Sequence, residues 1–135
     1  MTHPVVGFEI GGHDADRLER FYADLFGWKV DPVRCDYGTV DAGDGIPGGI
    51  VQTRPGTHRV MLYVRVASLV AALDRVAELG GECVTPPTPL PGVGTYAHVR
   101  DPEGNLVGLL RLDAVREETP DLEGPPAHHA LSNNL

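Results

Sequence analysis

Apolar and polar residues alternate with a period of two from Val5 to Ile10, which predicts a strand with Val6, Phe8 and Ile10 on one side and Val5, Gly7 and Glu9 on the other. Beyond Gly11-Gly12 the period changes. Asp14 is placed as an N-cap, and Leu18, Phe21, Tyr22, Leu25 and Phe26 recur at helical spacing until Gly27. Short extended pieces follow over Trp28 to Val33 and Tyr37 to Ala42, then a glycine-rich reversal and a strand from Gly49 to Thr53. After Arg54-Pro55-Gly56 the order starts again. A long strand is predicted from His58 to Val66, Ser68 caps a second helix with an apolar stripe of Leu69, Leu73, Val76, Ala77 and Leu79, and Gly80-Gly81 ends it. A short strand near Cys83 leads into a proline-rich link, PPTPLPG. The two caps and the two helix stops recur at an interval of about 54 residues, so the chain is an internal repeat of strand, helix and three strands.

The last pair of strands is the best specified. In TYAHVRDPEGNLVGLLRL, Asp101 suits the first position of a turn, Pro102 sets φ at the second, and Gly104 supplies the positive φ of a type I turn closed by a bulge. Pairing Asp101 with Asn105 sets Arg100 opposite Leu106, His98 opposite Gly108 and Tyr96 opposite Leu110, all six on one face. A slip of one residue would send the whole set to the other face.

Composition narrows the function classes. With 135 residues and 41% hydrophobic content, one domain with a real core is expected, and Gly 17 and Pro 12 favour many short strands over a helical bundle. A net charge of −8 argues against nucleic acid and against an anionic membrane surface as partner. No apolar run approaches a membrane span and the N-terminus has no signal-peptide layout, so a cytoplasmic protein is expected. Cys35 and Cys83 have no metal-site spacing and read as reduced structural bystanders. Residues 113–135 are polar, acidic and broken by proline, and are expected to form a flexible tail in which His128 and His129 are solvated. His3 and His13 read as surface residues, His58 as a strand start, and Trp28 as an anchor between helix and sheet.

The doubled βαβββ unit, the helix GGHDADRLERFYADLFGW, the second helix ending in AELGG and the closing YAHVRDPEGNLVGLL resemble the vicinal oxygen chelate superfamily, which includes glyoxalases, bleomycin-resistance proteins and extradiol dioxygenases. The resemblance implies an α+β fold over residues 1–112, with modules at about 4–54 and 57–112, a curled mixed sheet in a half-open barrel, and helices outside. It also implies a homodimer and a cavity between the modules. Catalytic members hold a divalent metal there through first-strand and last-strand side chains. Carried onto this chain, those places fall at Gly7, Met61 and Gly108, none of which offers a suitable donor, so no metal and no other cofactor is expected.

Parity on the same strands then selects the candidate site: Glu9 and His98 as acid or base, with Arg59, Met61, Tyr63, Arg65, Tyr96, Arg100, Leu106, Gly108 and Leu110 as ligand contacts. Such a lining suits a small organic molecule with an apolar or aromatic body and a polar or anionic edge. Each residue has a plainer reading. Glu9 can be a buried carboxylate paired with an arginine, His98 a satisfied strand histidine, Tyr63 and Tyr96 core filler, and Arg65 and Arg100 rim residues. Three functions follow: metal-free binding of a small organic ligand, a metal-independent isomerase or lyase using Glu9 or His98, or an association module with a vestigial cavity.

Overall fold

The computed structural model describes residues 2–113. The expected tail, with His128 and His129, lies outside the described residues. Two compact units divide the chain: residues 7–60 form one, and residues 2–6 with 61–113 form the other.

The first unit takes most of β1 (Val5–Gly12), then α1 (Ala15–Phe26), β2 (Lys29–Arg34), β3 (Tyr37–Asp41) and β4 (Gly48–Gln52). Its strands lie in the order β2-β3-β4-β1, with β1 parallel to β4 and the other pairs antiparallel. Helix α1 starts where expected, because the Asp14 carboxylate accepts from the Arg17 backbone N–H at 3.1 Å. It ends at Gly27, whose φ of 71° lets its N–H reach the Ala23 carbonyl. The helix lies on the sheet face carrying Phe8, Ile10, Val30, Val40 and Ile50, where Ala15, Leu18, Tyr22 and Trp28 complete the core. Trp28 stacks on Tyr22 with ring centroids 5.4 Å apart and meets Phe8 at the same distance, the anchoring contact its position suggested. The apolar stripe is narrower than its pattern, however: Phe21, Leu25 and Phe26 are 54%, 57% and 56% exposed. A helix on a four-stranded sheet turns only one strip inward, and Ala15, Leu18 and Tyr22 fill it.

The second unit repeats the plan with the remainder of β5 (Arg59–Arg65), α2 (Leu69–Glu78), β6 (Glu82–Leu90), β7 (Gly94–Arg100) and β8 (Leu106–Leu112). Its strand order is β5-β8-β7-β6, with β5 parallel to β8 and both other pairs antiparallel. The first residues of the chain belong here, since the Arg65 N–H donates to the Pro4 carbonyl at 2.9 Å. Ser68 caps α2 through Ala71 N–H at 3.1 Å. Leu69, Ala72, Leu73 and Val76 pack on Val64, Val66, Ala97, Val99, Val107 and Leu109, while Ala77 and Leu79 face solvent.

The hairpin pairs as expected: Arg100 opposite Leu106, His98 opposite Gly108 and Tyr96 opposite Leu110. Gly104, at φ 96°, sends its N–H back to the Asp101 carbonyl at 2.9 Å, and the Asp101 carboxylate accepts from the backbone of Glu103 and Asn105 at 2.9 Å each. The proline-rich link is not a link. Strand β6 runs through Pro86, Pro87 and Pro89 to Leu90, with register shifts on either side of Thr85. It stands last in its unit's strand order, and an edge strand with register shifts is where prolines without N–H groups are tolerated in a sheet.

Candidate functional site

Alternation along a strand assigns each side chain to a face. In the second unit the core beneath α2 takes Val64, Val66, Ala97, Val99, Val107 and Leu109, so Met61, Tyr63, Arg65, Tyr96, His98, Arg100, Leu106, Gly108 and Leu110 project from the helix-free face. All nine therefore share one surface of one unit. Pairing arranges them in rows. Gly108 is the neighbour of both His98 on β7 and Tyr63 on β5, and Leu110 is the neighbour of both Tyr96 and Arg65.

The Gly108 row is the chemically organised one. A side chain at 108 would stand between Tyr63 and His98; glycine leaves the gap empty and the Tyr63 ring fills it. A Cβ built on Gly108 collides with that ring. The phenol reaches across to His98, with Tyr63 Oη and His98 Nε2 2.8 Å apart, and His98 Nδ1 lies 3.0 Å from Thr85 Oγ1 on β6. Hydroxyl, imidazole and phenol thus form one hydrogen-bonded chain across four strands. In a neutral imidazole one nitrogen donates and the other accepts, so the hydroxyls of Thr85 and Tyr63 are coupled. When Nε2 carries the proton, it donates to Tyr63 and the Thr85 hydroxyl donates to Nδ1; in the other tautomer both bonds reverse.

Accessibility grades this face. Met61, Tyr63 and Leu110 are buried and His98 is 9% exposed, whereas Tyr96 and Leu106 are half-buried. The Tyr96 and His98 rings tilt against each other with centroids 5.2 Å apart. Arg65 and Arg100 are exposed, and Arg100 Nη1 donates to the Gly104 carbonyl at 2.9 Å, placing it at the hairpin end.

Glu9 and Arg59 fall in the first unit, again on the face away from the helix. Glu9 is 1% exposed, and Arg59 closes on one carboxylate oxygen with two donors, Nε at 2.8 Å and Nη2. A buried carboxylate needs such a partner, because desolvation of an unpaired charge costs several kcal/mol. The Glu9 carboxylate is thus held in a buried ion pair with Arg59.

Two residues escaped the sequence. Thr85 sits between register shifts, and nothing in ECVTPPTPL shows which residue faces His98. Tyr37 is fully buried on the helix-free face of the first unit, where a Cβ built on Gly49 would meet its Oη at 2.8 Å. Each unit thus lays a tyrosine over a glycine, a correspondence visible only once the registers are known. No three His, Cys, Asp or Glu side chains among the described residues converge closely enough to hold a metal ion. At the positions the family resemblance marks for ligands, Gly7 offers no side chain, Met61 a buried thioether, and Gly108 only the Tyr63 ring.

Two βαβββ units, each with one helix against one face of a mixed four-stranded sheet, define the class of α+β proteins built like the glyoxalases. The sequence profile of the glyoxalase-like domain matches residues 8–110, and the chain belongs to that family. Among solved structures, methylmalonyl-CoA epimerase from Mycobacterium tuberculosis superposes with a TM-score of 0.63 at 13% identity, over 85% of this chain and 91% of that one. A glyoxalase/bleomycin resistance protein/dioxygenase superfamily member from Vibrio splendidus gives 0.61 at 20% identity, over 82% and 99%. At such identities the likeness is one of fold. A "Glyoxylase-like domain-containing protein" of Didymella fabae is 30% identical over 115 residues, 75% of this chain and 88% of the relative. "Putative glyoxylase CFP32" of Mycobacterium tuberculosis is 28% identical over 111 residues, and the matched segment spans 42% of its length. No described helix is long and apolar enough to cross a membrane.

Proposed function

We propose that this glyoxalase-like protein binds a small organic molecule on the helix-free face of its second unit, without the divalent metal of its catalytic relatives. The observation that carries the reading is the Tyr63 ring laid over Gly108 with its hydroxyl on His98. A carboxylate ligand at 108 and this ring cannot share the space, and the glycine and thioether at the other two marked positions are poor donors for hard or borderline cations. What remains suits an organic ligand: half-buried Tyr96 and Leu106 for an apolar or aromatic body, with the Tyr96 ring set against the hydrogen-bonded His98, and the exposed Arg65 and Arg100 for an anionic end.

The test uses untagged protein. Metal analysis should find no stoichiometric divalent ion, and a panel of small aromatic and aliphatic acids should include compounds that raise the melting temperature. A compound at a hundred times its Kd stabilises by about 2.7 kcal/mol. Tyr96→Ala and His98→Gln should abolish the shift. Stoichiometric metal, or a shift insensitive to both substitutions, would overturn the reading.

A second reading has its own support. The Thr85–His98–Tyr63 chain can hold and relay a proton, as a metal-independent isomerase or lyase step at His98 requires. Structural neighbours include methylmalonyl-CoA epimerases, one of them solved with methylmalonyl-CoA. Turnover of a bound acid that disappears in Tyr63→Phe, with binding retained, would establish it.

A further inference from the structure

A cavity of about 430 Å³ opens in the first unit beside the start of α1, and its lining is chemically mixed. Leu18, Phe21 and Tyr22 supply apolar and aromatic walls from α1. His13 and His58, brought together from the end of β1 and the approach to β5, supply two imidazoles, and Arg17 supplies a guanidinium. The floor is Gly12: a Cβ there would come within 2.8 Å of Leu18 Cδ1 and 3.9 Å of the His58 ring, so any larger residue shrinks the space. The volume lies within the range that holds small organic ligands.

The charge balance at the mouth is unusual for a chain of net charge −8. Asp14 is the one acid in the lining, and its carboxylate already accepts from the Arg17 backbone N–H. Among the described residues the Arg17 side chain forms no ion pair, whereas Arg59, Arg75 and Arg111 each do. A metal ion is the wrong occupant, because no group of three His, Cys, Asp or Glu side chains converges here. An apolar pocket rimmed by one guanidinium and two imidazoles fits a small organic acid, with its hydrocarbon body against Phe21 and Tyr22 and its carboxylate at Arg17.

We propose that the cavity between Arg17, His13, His58 and the Phe21–Tyr22 rings is a second binding site, for a small organic carboxylate. It stands independently of the reading of the helix-free face. Trp28, the one tryptophan, stacks on Tyr22 at 5.4 Å and reports occupancy through its fluorescence. The probes are cyclohexanecarboxylate and its neutral counterpart cyclohexylmethanol. The carboxylate should give a saturable change and bind about tenfold more tightly than the alcohol, the value of one charge-assisted hydrogen bond. Arg17→Gln should weaken the carboxylate about tenfold and leave the alcohol unchanged, Phe21→Ala should weaken both, and His98→Gln should change neither. In the wild-type protein the carboxylate should also shift the imidazole resonances of His13 and His58, a readout free of any folding defect in the variants. Equal affinity for the two probes, insensitivity to Arg17→Gln, loss in His98→Gln, or the absence of saturable binding would overturn the proposal.

Discussion

Removing Arg59 while keeping Glu9 isolates the energetic role of the buried pair. The carboxylate is 1% exposed and the arginine side chain 29% exposed, so Arg59→Met strips a nearly dehydrated anion of two hydrogen bonds while the lost cation itself had partial access to water. Truncating one partner of a fully buried pair costs about 3–5 kcal/mol. Partial exposure of the arginine reduces this to about 2–4 kcal/mol, or a fall in melting temperature on the order of 10–15 °C for a domain of this size. Glu9→Gln leaves an uncharged acceptor for the same donors and should cost less, about 1–2 kcal/mol. In the double substitution Glu9→Leu with Arg59→Met no charge remains to be desolvated, and most of the stability should return. Urea denaturation at neutral pH, followed by Trp28 fluorescence and far-ultraviolet circular dichroism, measures wild type, Arg59→Met, Glu9→Leu and the double variant, whose cycle isolates the coupling, with Glu9→Gln measured beside them. A coupling below about 0.5 kcal/mol, or a double variant no more stable than Arg59→Met alone, would show that the pair is not what keeps Glu9 buried.

Three further outcomes follow from the structure. Gly108→Ala should destabilise by about 2 kcal/mol through collision with the Tyr63 ring and should be nearly neutral in a Tyr63→Ala background, as chemical denaturation would show. Burial, aided by the nearby Asp16 charge, raises the Glu19 carboxyl above its ordinary value of 4.5. The folded chain therefore favours the protonated form and loses that contribution as pH rises through the raised value. Glu19→Gln should stabilise at pH 7 by no more than about 0.5 kcal/mol, since water screens this half-exposed group, and the gain should vanish below about pH 4. The hydrogen bonds from Asn105 and Glu103 hold the Asp101 carboxyl below its ordinary 3.8, so it stabilises above that value and ceases to as pH falls through the lowered one. Asp101→Ala should speed hydrogen exchange at the amides of Glu103 and Asn105 at neutral pH, with the difference from wild type fading in strong acid.

Local signals carried the most information. Asp14, Ser68 and the Asp101–Gly104 turn act within a few residues of themselves, and from them both helix starts and the hairpin register follow. The register in turn placed His98 beside Gly108, the centre of the candidate site. Features that join distant segments were less legible. Arginines abound in the sequence, but nothing local says that Arg59 is the one to reach Glu9, 50 residues away. The α1 pattern announces an apolar face without saying how much of it the sheet can cover, and Phe21, Leu25 and Phe26 stay in water. The prolines of β6 read as a break because local rules count missing N–H groups, whereas a strand with a partner on one side only has little use for them. The cavity at His13 and His58 comes from two chain segments that only the fold brings together.

Pro86, Pro87 and Pro89 on β6 bear on how this protein behaves at high concentration. An intruding extended chain aligned along that margin would meet prolines that cannot donate, and the local register shifts would throw the remainder out of step. The second unit is thereby guarded against open-ended stacking of copies, a safeguard written into the backbone rather than into surface charge.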